Sequence, residues 1–237
     1  MADRDVAAAY GARAAEYLAI AGGIAQMEEP DVDRIARWRD ATPGRLLDAG
    51  CGPGHWTAFL GAGGRDAEGL DLTPAFVEAA RVEHPGIRFS EGTMRDLPYE
   101  DASLGGVLAW YSLIHLPPAD VPAVLAEFAR VLAPGGGLLI GFFDGTAGEG
   151  FAHAVAPAHY WSADALGTLL DAAGFDVVDG ERRERLPGAA SIRPHGALSA
   201  VRRPWKAKGG QFRQEFAAKP AETDHPTGGL ARRPPAP

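Results

Sequence analysis

Two carboxylates and three glycines carry the first chemical signal in this chain. The apolar run Leu46-Leu47-Asp48-Ala49 enters a glycine turn, Gly50-Cys51-Gly52-Pro53-Gly54, and the next apolar stretch, Gly69-Leu70, ends at Asp71. Glycine at the exit of a strand lets a ligand approach the backbone where a side chain would collide. A carboxylate at the tip of the following strand can accept hydrogen bonds from both hydroxyls of a ribose. The two features together describe a nucleoside site on an α/β fold. The position that a dinucleotide fingerprint fills with Gly or Ala is His55 here, which counts against a nicotinamide cofactor and an NAD-dependent oxidoreductase.

More of the chain follows the same plan. Gly92-Thr93-Met94-Arg95-Asp96-Leu97-Pro98, then the segment from Leu104 to Leu116, then Glu127 to Gly136 come in a fixed order after the glycine turn. With G-x-G-x-G and an acid two residues before its first glycine, these segments resemble the class I S-adenosylmethionine-dependent methyltransferases. The likeness is to the small UbiE/ubiquinone-type branch (methyltransferase type 11/25-like) and covers roughly residues 10 to 180. It implies S-adenosyl-L-methionine as methyl donor, S-adenosyl-L-homocysteine as product, and a Rossmann-like seven-stranded sheet, mostly parallel with an antiparallel last strand.

The resemblance also distributes roles. Asp71, with Leu72 beside it, takes the donor ribose, and Gly50, Gly52 and Gly54 leave the backbone open to the amino-acid end. Cys51 lies in that loop as a small filler. Asp48 either bonds the donor's ammonium or ties down the loop. Thr93 and Met94 bracket the adenine, Met94 through a polarisable apolar contact. Asp96 bonds the adenine amino group or caps its own loop. An N-terminal helix acts as a lid, with Tyr17 toward the methionine end, Arg13 as a weaker contact, and Tyr10 on the same helical face. Trp110 packs near the donor and Tyr111 faces the acceptor.

Methyl transfer from a sulfonium asks the protein mainly to align the acceptor and exclude water. His115 is the candidate general base, because an imidazole titrates near neutrality and can take a proton from a hydroxyl; its other role is to close the pocket. Phe143, His153, Tyr160 and Trp161 give the acceptor region an aromatic, histidine-bearing lining, suited to a planar or apolar small molecule. The expected reaction is methylation of such a molecule, with oxygen favoured over nitrogen or carbon. The spacing of His153, His159 and His195 matches no metal-ligand pattern, so no metal is expected. The alternative from another class is a non-catalytic protein that binds the nucleoside as sensor or scaffold.

The elements that must position these residues read as alternating strands and helices, hence a doubly wound sheet with helices on both faces. Strands are expected at Arg45–Ala49, Ala67–Asp71, Ile87–Ser90, Leu104–Trp110, Gly137–Phe143, Phe175–Asp179 and His195–Val201. Helices are expected over residues 4–21, Asp31–Trp38, His55–Leu60, Pro74–Glu83 with Thr73 as its cap, Ala119–Leu132, and one starting within Trp161–Asp164 and ending near Ala173-Gly174. Residues 1–40 then form the lid helices, 41–201 the donor-binding core, and 202–237 a Pro/Gly-rich basic tail without sustained period, read as disordered.

Charge divides along the same line. Residues 181–237 hold 12 Lys+Arg against 5 Asp+Glu, a surplus of +7, which leaves 11 basic and 26 acidic residues, or −15, in residues 1–180. A body so acidic repels phosphate backbones, so nucleic acid is not the expected partner, and a tRNA methyltransferase would have to work through the tail. The single cysteine excludes an intramolecular disulfide. No apolar run approaches the roughly 20 residues of a membrane span. A cytoplasmic protein, monomer or homodimer, is the expectation.

Overall fold

A computed structural model describes residues 3–14, 16, 18, 23–184 and 193–204. Tyr17, expected against the donor, and the tail from 205 to 237 lie outside the described residues. The chain begins with α1 (Asp3–Ala12) and α2 (Glu29–Ala41), then β1 (Leu46–Ala49), α3 (His55–Leu60), β2 (Ala67–Asp71), α4 (Pro74–Glu83) and β3 (Arg88–Glu91). It continues through β4 (Leu104–Trp110), α5 (Val121–Val131), β5 (Leu132–Phe143), a small hairpin of β6 (Gly150–Phe151) and β7 (Ala158–His159), α6 (Ala163–Ala172), β8 (Phe175–Arg183) and β9 (His195–Arg202).

Seven strands form one sheet in the order β3-β2-β1-β4-β5-β9-β8. The pairs from β3 through β5 are parallel, whereas β9 runs antiparallel to both β5 and β8. This is the expected mostly parallel, doubly wound sheet with one reversed strand. The order reverses between β1 and β4, which opens a crevice beyond their carboxyl ends.

Alternate side chains leave the sheet on opposite faces, and the apolar strands are filled on both. On one face Leu47, Val107, Leu138 and Ile140 pack with Leu125 and Phe128 of α5 and Leu166 and Leu170 of α6. On the other, Leu46, Leu108 and Leu139 pack with Ile35 and Trp38 of α2 and Trp56 and Leu60 of α3. At the edge of the sheet β8 leaves Val177 and Val178 exposed.

Several boundaries depart from expectation for identifiable reasons. β5 starts at Leu132, ahead of the expected Gly137, because Leu132 pairs with Leu104 and the register then shifts before Gly106 meets Gly137. Pro134 to Gly136 are absorbed in that irregularity, with Gly135 at φ +79°, rather than forming a separate turn. The turn Pro118–Asp120 precedes α5 instead of belonging to it. β8 runs to Arg183 because β9 pairs with it as far as His195. Thr73 does occupy the cap position of α4, but its side chain makes no capping bond. None of the described helices is long and apolar enough to cross a membrane.

Candidate active site

The glycine turn and Asp71 are one structure. Gly50 and Cys51 donate their backbone N–H groups to the carbonyl of Leu70, at 2.7 and 3.1 Å. Asp71 accepts the N–H of Gly52 on one carboxylate oxygen and that of Thr73 on the other, both at 2.8 Å. Burial pushes this carboxyl up, while the N–H groups of Gly52 and Thr73 pull it down. The three glycines differ in purpose. A Cβ on Gly50 would lie 2.4 Å from that of Ser112, and one on Gly54 2.8 Å from the Phe89 ring, so both are required by close packing. Gly52, at φ +53°, would meet nothing within 4 Å, and its open side is free for a ligand.

Asp48 sits behind this turn, buried, and accepts a 2.7 Å hydrogen bond from the Thr57 hydroxyl. Burial, with the neighbouring Asp71 charge adding to it, pushes its carboxyl up to about 7. Cys51 is buried beside it, its thiol held well above the usual range by burial and by both carboxylates, which fits a filler and not a nucleophile.

A cavity of about 510 Å³ opens from the glycine turn across the ends of β1, β2 and β4. Gly50, Gly52, Asp71, Leu72 and Met94 line one end of it. Trp110, Tyr111, His115, Phe143 and His153 line the other, and Tyr10 of α1 covers it. Other expected residues stand back from the wall. Asp48, Cys51 and Gly54 support the turn from behind. Thr93 donates its hydroxyl to Asp3 at 2.8 Å, and Asp3 also pairs with Arg95 at 3.1 Å, so this segment fastens the start of α1. Trp161 is buried in the core against α6, and its backbone bridges to Asp144. Tyr160 stacks on Phe151 at 4.3 Å and accepts a hydrogen bond from Arg193.

The cavity also gathers residues that the sequence did not single out for it. Phe76, in the first turn after Asp71, touches the Tyr10 ring at 5.6 Å, and its place one turn into α4 was a usable signal. Asp3, Ser112, Arg193 and His195 also line the wall. In the sequence His195 reads as the start of a strand and as a histidine whose spacing matches no metal-ligand pattern, and nothing local to it announces that this strand begins at the mouth of the site.

His115 has a defined tautomer. The Nδ1 of His115 lies 2.9 Å from the Pro157 carbonyl, which can only accept, so Nδ1 carries the proton. Its Nε2 is therefore an acceptor, and the Tyr10 hydroxyl donates to it at 2.7 Å. Burial holds His115 below the usual histidine range. His153, edge-on to His115 at 5.2 Å, is pushed down to about 4 by burial and by the neighbouring His115 and Arg193. Tyr111 follows β4 with φ +53°, an uncommon backbone state for a residue with a side chain, and its N–H is held by the Gly141 carbonyl at 3.0 Å. Its hydroxyl is hydrogen-bonded to Nδ1 of His195, with the rings 5.5 Å apart and edge-on.

Comparison with known proteins agrees with this geometry. Residues 46–136 match a family model described as a methyltransferase domain. A malonyl-[acyl-carrier protein] O-methyltransferase of Serratia marcescens is 32% identical over 135 residues, covering 56% of this chain and 51% of the relative. A trans-aconitate 2-methyltransferase of Methylobacterium nodulans is 35% identical over 133 residues, 54% of this chain and 48% of the relative. The chain thus spans about half the length of these relatives. Among solved structures, the 1,6-didemethyltoxoflavin-N1-methyltransferase of Burkholderia thailandensis superposes with a TM-score of 0.66 at 24% identity, over 86% of this chain and 92% of that one. Over residues 46–136 the chain is thus similar to methyltransferase domains, on a sheet of this order with a glycine turn and a carboxylate at its switch point.

Proposed function

We propose that the protein methylates a hydroxyl group of a small, planar acceptor. The observation that carries this is the far half of the cavity, where Tyr111, Phe143 and three imidazoles, His115, His153 and His195, face a space shared with the donor end. Burial lowers all three imidazoles, so near neutral pH they offer neutral hydrogen-bonding and proton-accepting groups and not positive charge. Aromatic walls of this kind favour a flat molecule, and about 510 Å³ shared with a nucleoside leaves room only for a small one. The name of the Serratia marcescens relative, a malonyl-[acyl-carrier protein] O-methyltransferase, supports oxygen as the acceptor atom, on a different kind of acceptor.

The donor fits the residues present. Gly52 offers open backbone, and Asp71, held by the N–H groups of Gly52 and Thr73, lines the cavity where the ribose hydroxyls would reach it. When bound, the sulfonium supplies an electrophilic methyl group. The chain's own work is to hold both molecules in line and keep water out. In this reading His115 serves as a latch, because its only free lone pair already holds Tyr10 of the lid helix. Asp48 supports the turn through Thr57.

Calorimetric titration with S-adenosylmethionine, S-adenosylhomocysteine and NAD tests the donor half: the first two should bind at micromolar concentration and NAD should not. Phenolic, amine and carbon acceptors are then compared by S-adenosylhomocysteine formed. Transfer to amines with none to phenols would refute the oxygen preference. Donor binding without turnover on any acceptor would favour the sensor or scaffold reading.

A further inference from the structure

We propose that Tyr111 and His195 form a proton relay, in which the Tyr111 hydroxyl contacts the acceptor's hydroxyl and passes its own proton to Nδ1 of His195. This inference rests on the oxygen-methylation reading and gives that site the base that His115, occupied by Tyr10, does not supply.

Four observations support it. Both residues line the acceptor end of the cavity, and their side chains are hydrogen-bonded to each other across 84 positions of sequence. Tyr111 occupies the left-handed backbone region at φ +53°, a conformation of the kind that persists at sites where the surroundings fix it for use. The Nε2 of His195 is buried and has no hydrogen-bond partner among the described residues, so the ring's protein contact is through Nδ1 alone. Behind the pair, the charged residues of α2 and β8 form a strap. Arg183, opposite His195 in the sheet register, pairs with Asp31, with Glu28 at 3.5 Å and with Glu181 at 2.6 Å, while Arg34 reaches Glu181 at 2.5 Å and Asp179 at 2.9 Å.

The groups acting on His195 are thus Tyr111 at the end of β4, Asp31 and Glu28 of the α2 region, and Arg183 of β8. The two carboxylates favour a charged imidazole; burial and the Arg183 guanidinium oppose it. That balance keeps the ring neutral at rest and places acid groups nearby when it is charged.

The step balances without an added reagent. The acceptor oxygen forms its bond to the methyl carbon as the carbon–sulfur bond breaks, its electron pair leaving to sulfur. The acceptor's proton moves to the Tyr111 oxygen, and the Tyr111 proton moves to Nδ1 of His195. The imidazolium then returns its proton to solvent through Tyr111. One cationic donor and one neutral hydroxyl become two neutral products and one proton.

The test has two arms. The first needs no acceptor: histidine-¹⁵N NMR of the protein bound to S-adenosylhomocysteine. The relay requires His195 to be neutral with a bare Nδ1 and a protonated Nε2, and requires that Nδ1 resonance to shift in Tyr111→Phe. A His195 protonated on Nδ1, donating to the tyrosine oxygen, would overturn the proposal whatever the acceptor.

The second arm measures methyl transfer to catechol, whose hydroxyls stay protonated near neutral pH, as a function of pH. Tyr111→Phe keeps the ring, and His195→Asn keeps a hydrogen-bonding atom near the Nδ1 position but cannot take the proton. Each should lower kcat by about 10² with KM changed only a few-fold, and the double variant should be no slower than either single one. In both variants the acid limb of the profile should flatten. Full kcat in His195→Asn, or a loss confined to KM, would reduce the pair to a structural contact. If the wild type shows the required tautomer yet transfers methyl only to amines, the oxygen reading has failed and the relay with it. O-methylation unaffected by both variants overturns the relay alone.

Discussion

Replacing Asp71 with alanine is the sharpest test of the donor half. The carboxylate accepts two backbone N–H groups, from Gly52 and Thr73, each at 2.8 Å. The carboxylate also lines the cavity, where the ribose hydroxyls are proposed to meet it. Hydrogen bonds to a charged group contribute about 1.5–3 kcal/mol each, and part of that returns when water replaces the lost oxygen atoms. The net loss should be about 2–3 kcal/mol, which is a weakening of roughly 30- to 150-fold in the Kd for S-adenosylhomocysteine. Asp71→Ala also strands the two N–H groups, so affinity could fall through the loop alone. A cycle separates the two effects. An S-adenosylhomocysteine analogue lacking the 2′-hydroxyl should bind wild type about tenfold more weakly than the parent, while Asp71→Ala should bind both equally. The assay is calorimetric titration, with the melting temperature of each variant measured alongside. Equal penalties for the missing hydroxyl in both proteins would show that Asp71 holds the turn and does not touch the ribose.

Three further outcomes are expected. Gly52→Ala should cost only about 1–2 kcal/mol of stability, the strain of a left-handed Cβ in open space, yet abolish donor binding; Gly50→Ala and Gly54→Ala should cost more, through collisions with Ser112 and with Phe89 and Ala80. Equal melting temperatures for all three would refute the distinction. Asp48 and His153 should give the donor-free protein opposite pH dependences. Asp48, raised from 3.8 to about 7, binds a proton that the unfolded chain has released, so its contribution declines as pH rises from about 4 through about 7. His153, lowered from 6.5 to about 4, stabilises above its unfolded value and loses that contribution as pH falls through about 4. Denaturant unfolding of Asp48→Asn and His153→Phe across that range should remove one slope each, and an unchanged slope would refute the burial assigned to that group. Finally, Tyr10→Phe and His115→Ala both break the 2.7 Å latch to α1, so each should speed S-adenosylhomocysteine dissociation by about five- to tenfold, the worth of one buried hydrogen bond. A fall in kcat for His115→Ala with unchanged donor affinity would restore His115 as the base.

The glycine turn and its contacts with Asp71 were legible because their signals are local. Asp48 through Gly54 and Asp71 are separated by one helix, and their chemistry follows from the turn they share with β1 and β2. Strands β2 and β4 and helices α3 and α4 fell where the sequence pattern put them, because local turn and cap residues such as Gly54, Gly61, Asp71 and Pro74 punctuate the chain there. The acceptor half was less legible because its contacts are made across the sheet. Tyr111 meets His195, Thr93 meets Asp3, and Arg34 meets Asp179 and Glu181, pairs that only the strand order brings together. Thr93 carries a polar oxygen that suits a loop beside a ligand, yet that oxygen is spent on α1. Trp161 and Tyr160 looked like pocket aromatics because aromatics cluster there, but one fills the core and the other buttresses Phe151. The extension of β5 back to Leu132 was hidden by Pro134 and its glycines, which ordinarily end an element and here sit in a register shift.

The reversed direction of β9 separates the inheritance of the two halves. Position 195 opens that strand, directly across from Phe143 at the close of β5, and the glycine turn and Asp71 lie on the far side of the switch point. A change at Arg193 or His195 would redraw the wall at that end of the cavity without altering a single hydrogen bond that secures the glycine turn. On the proposed reading, acceptor choice and the hold on the methyl source can therefore be varied independently.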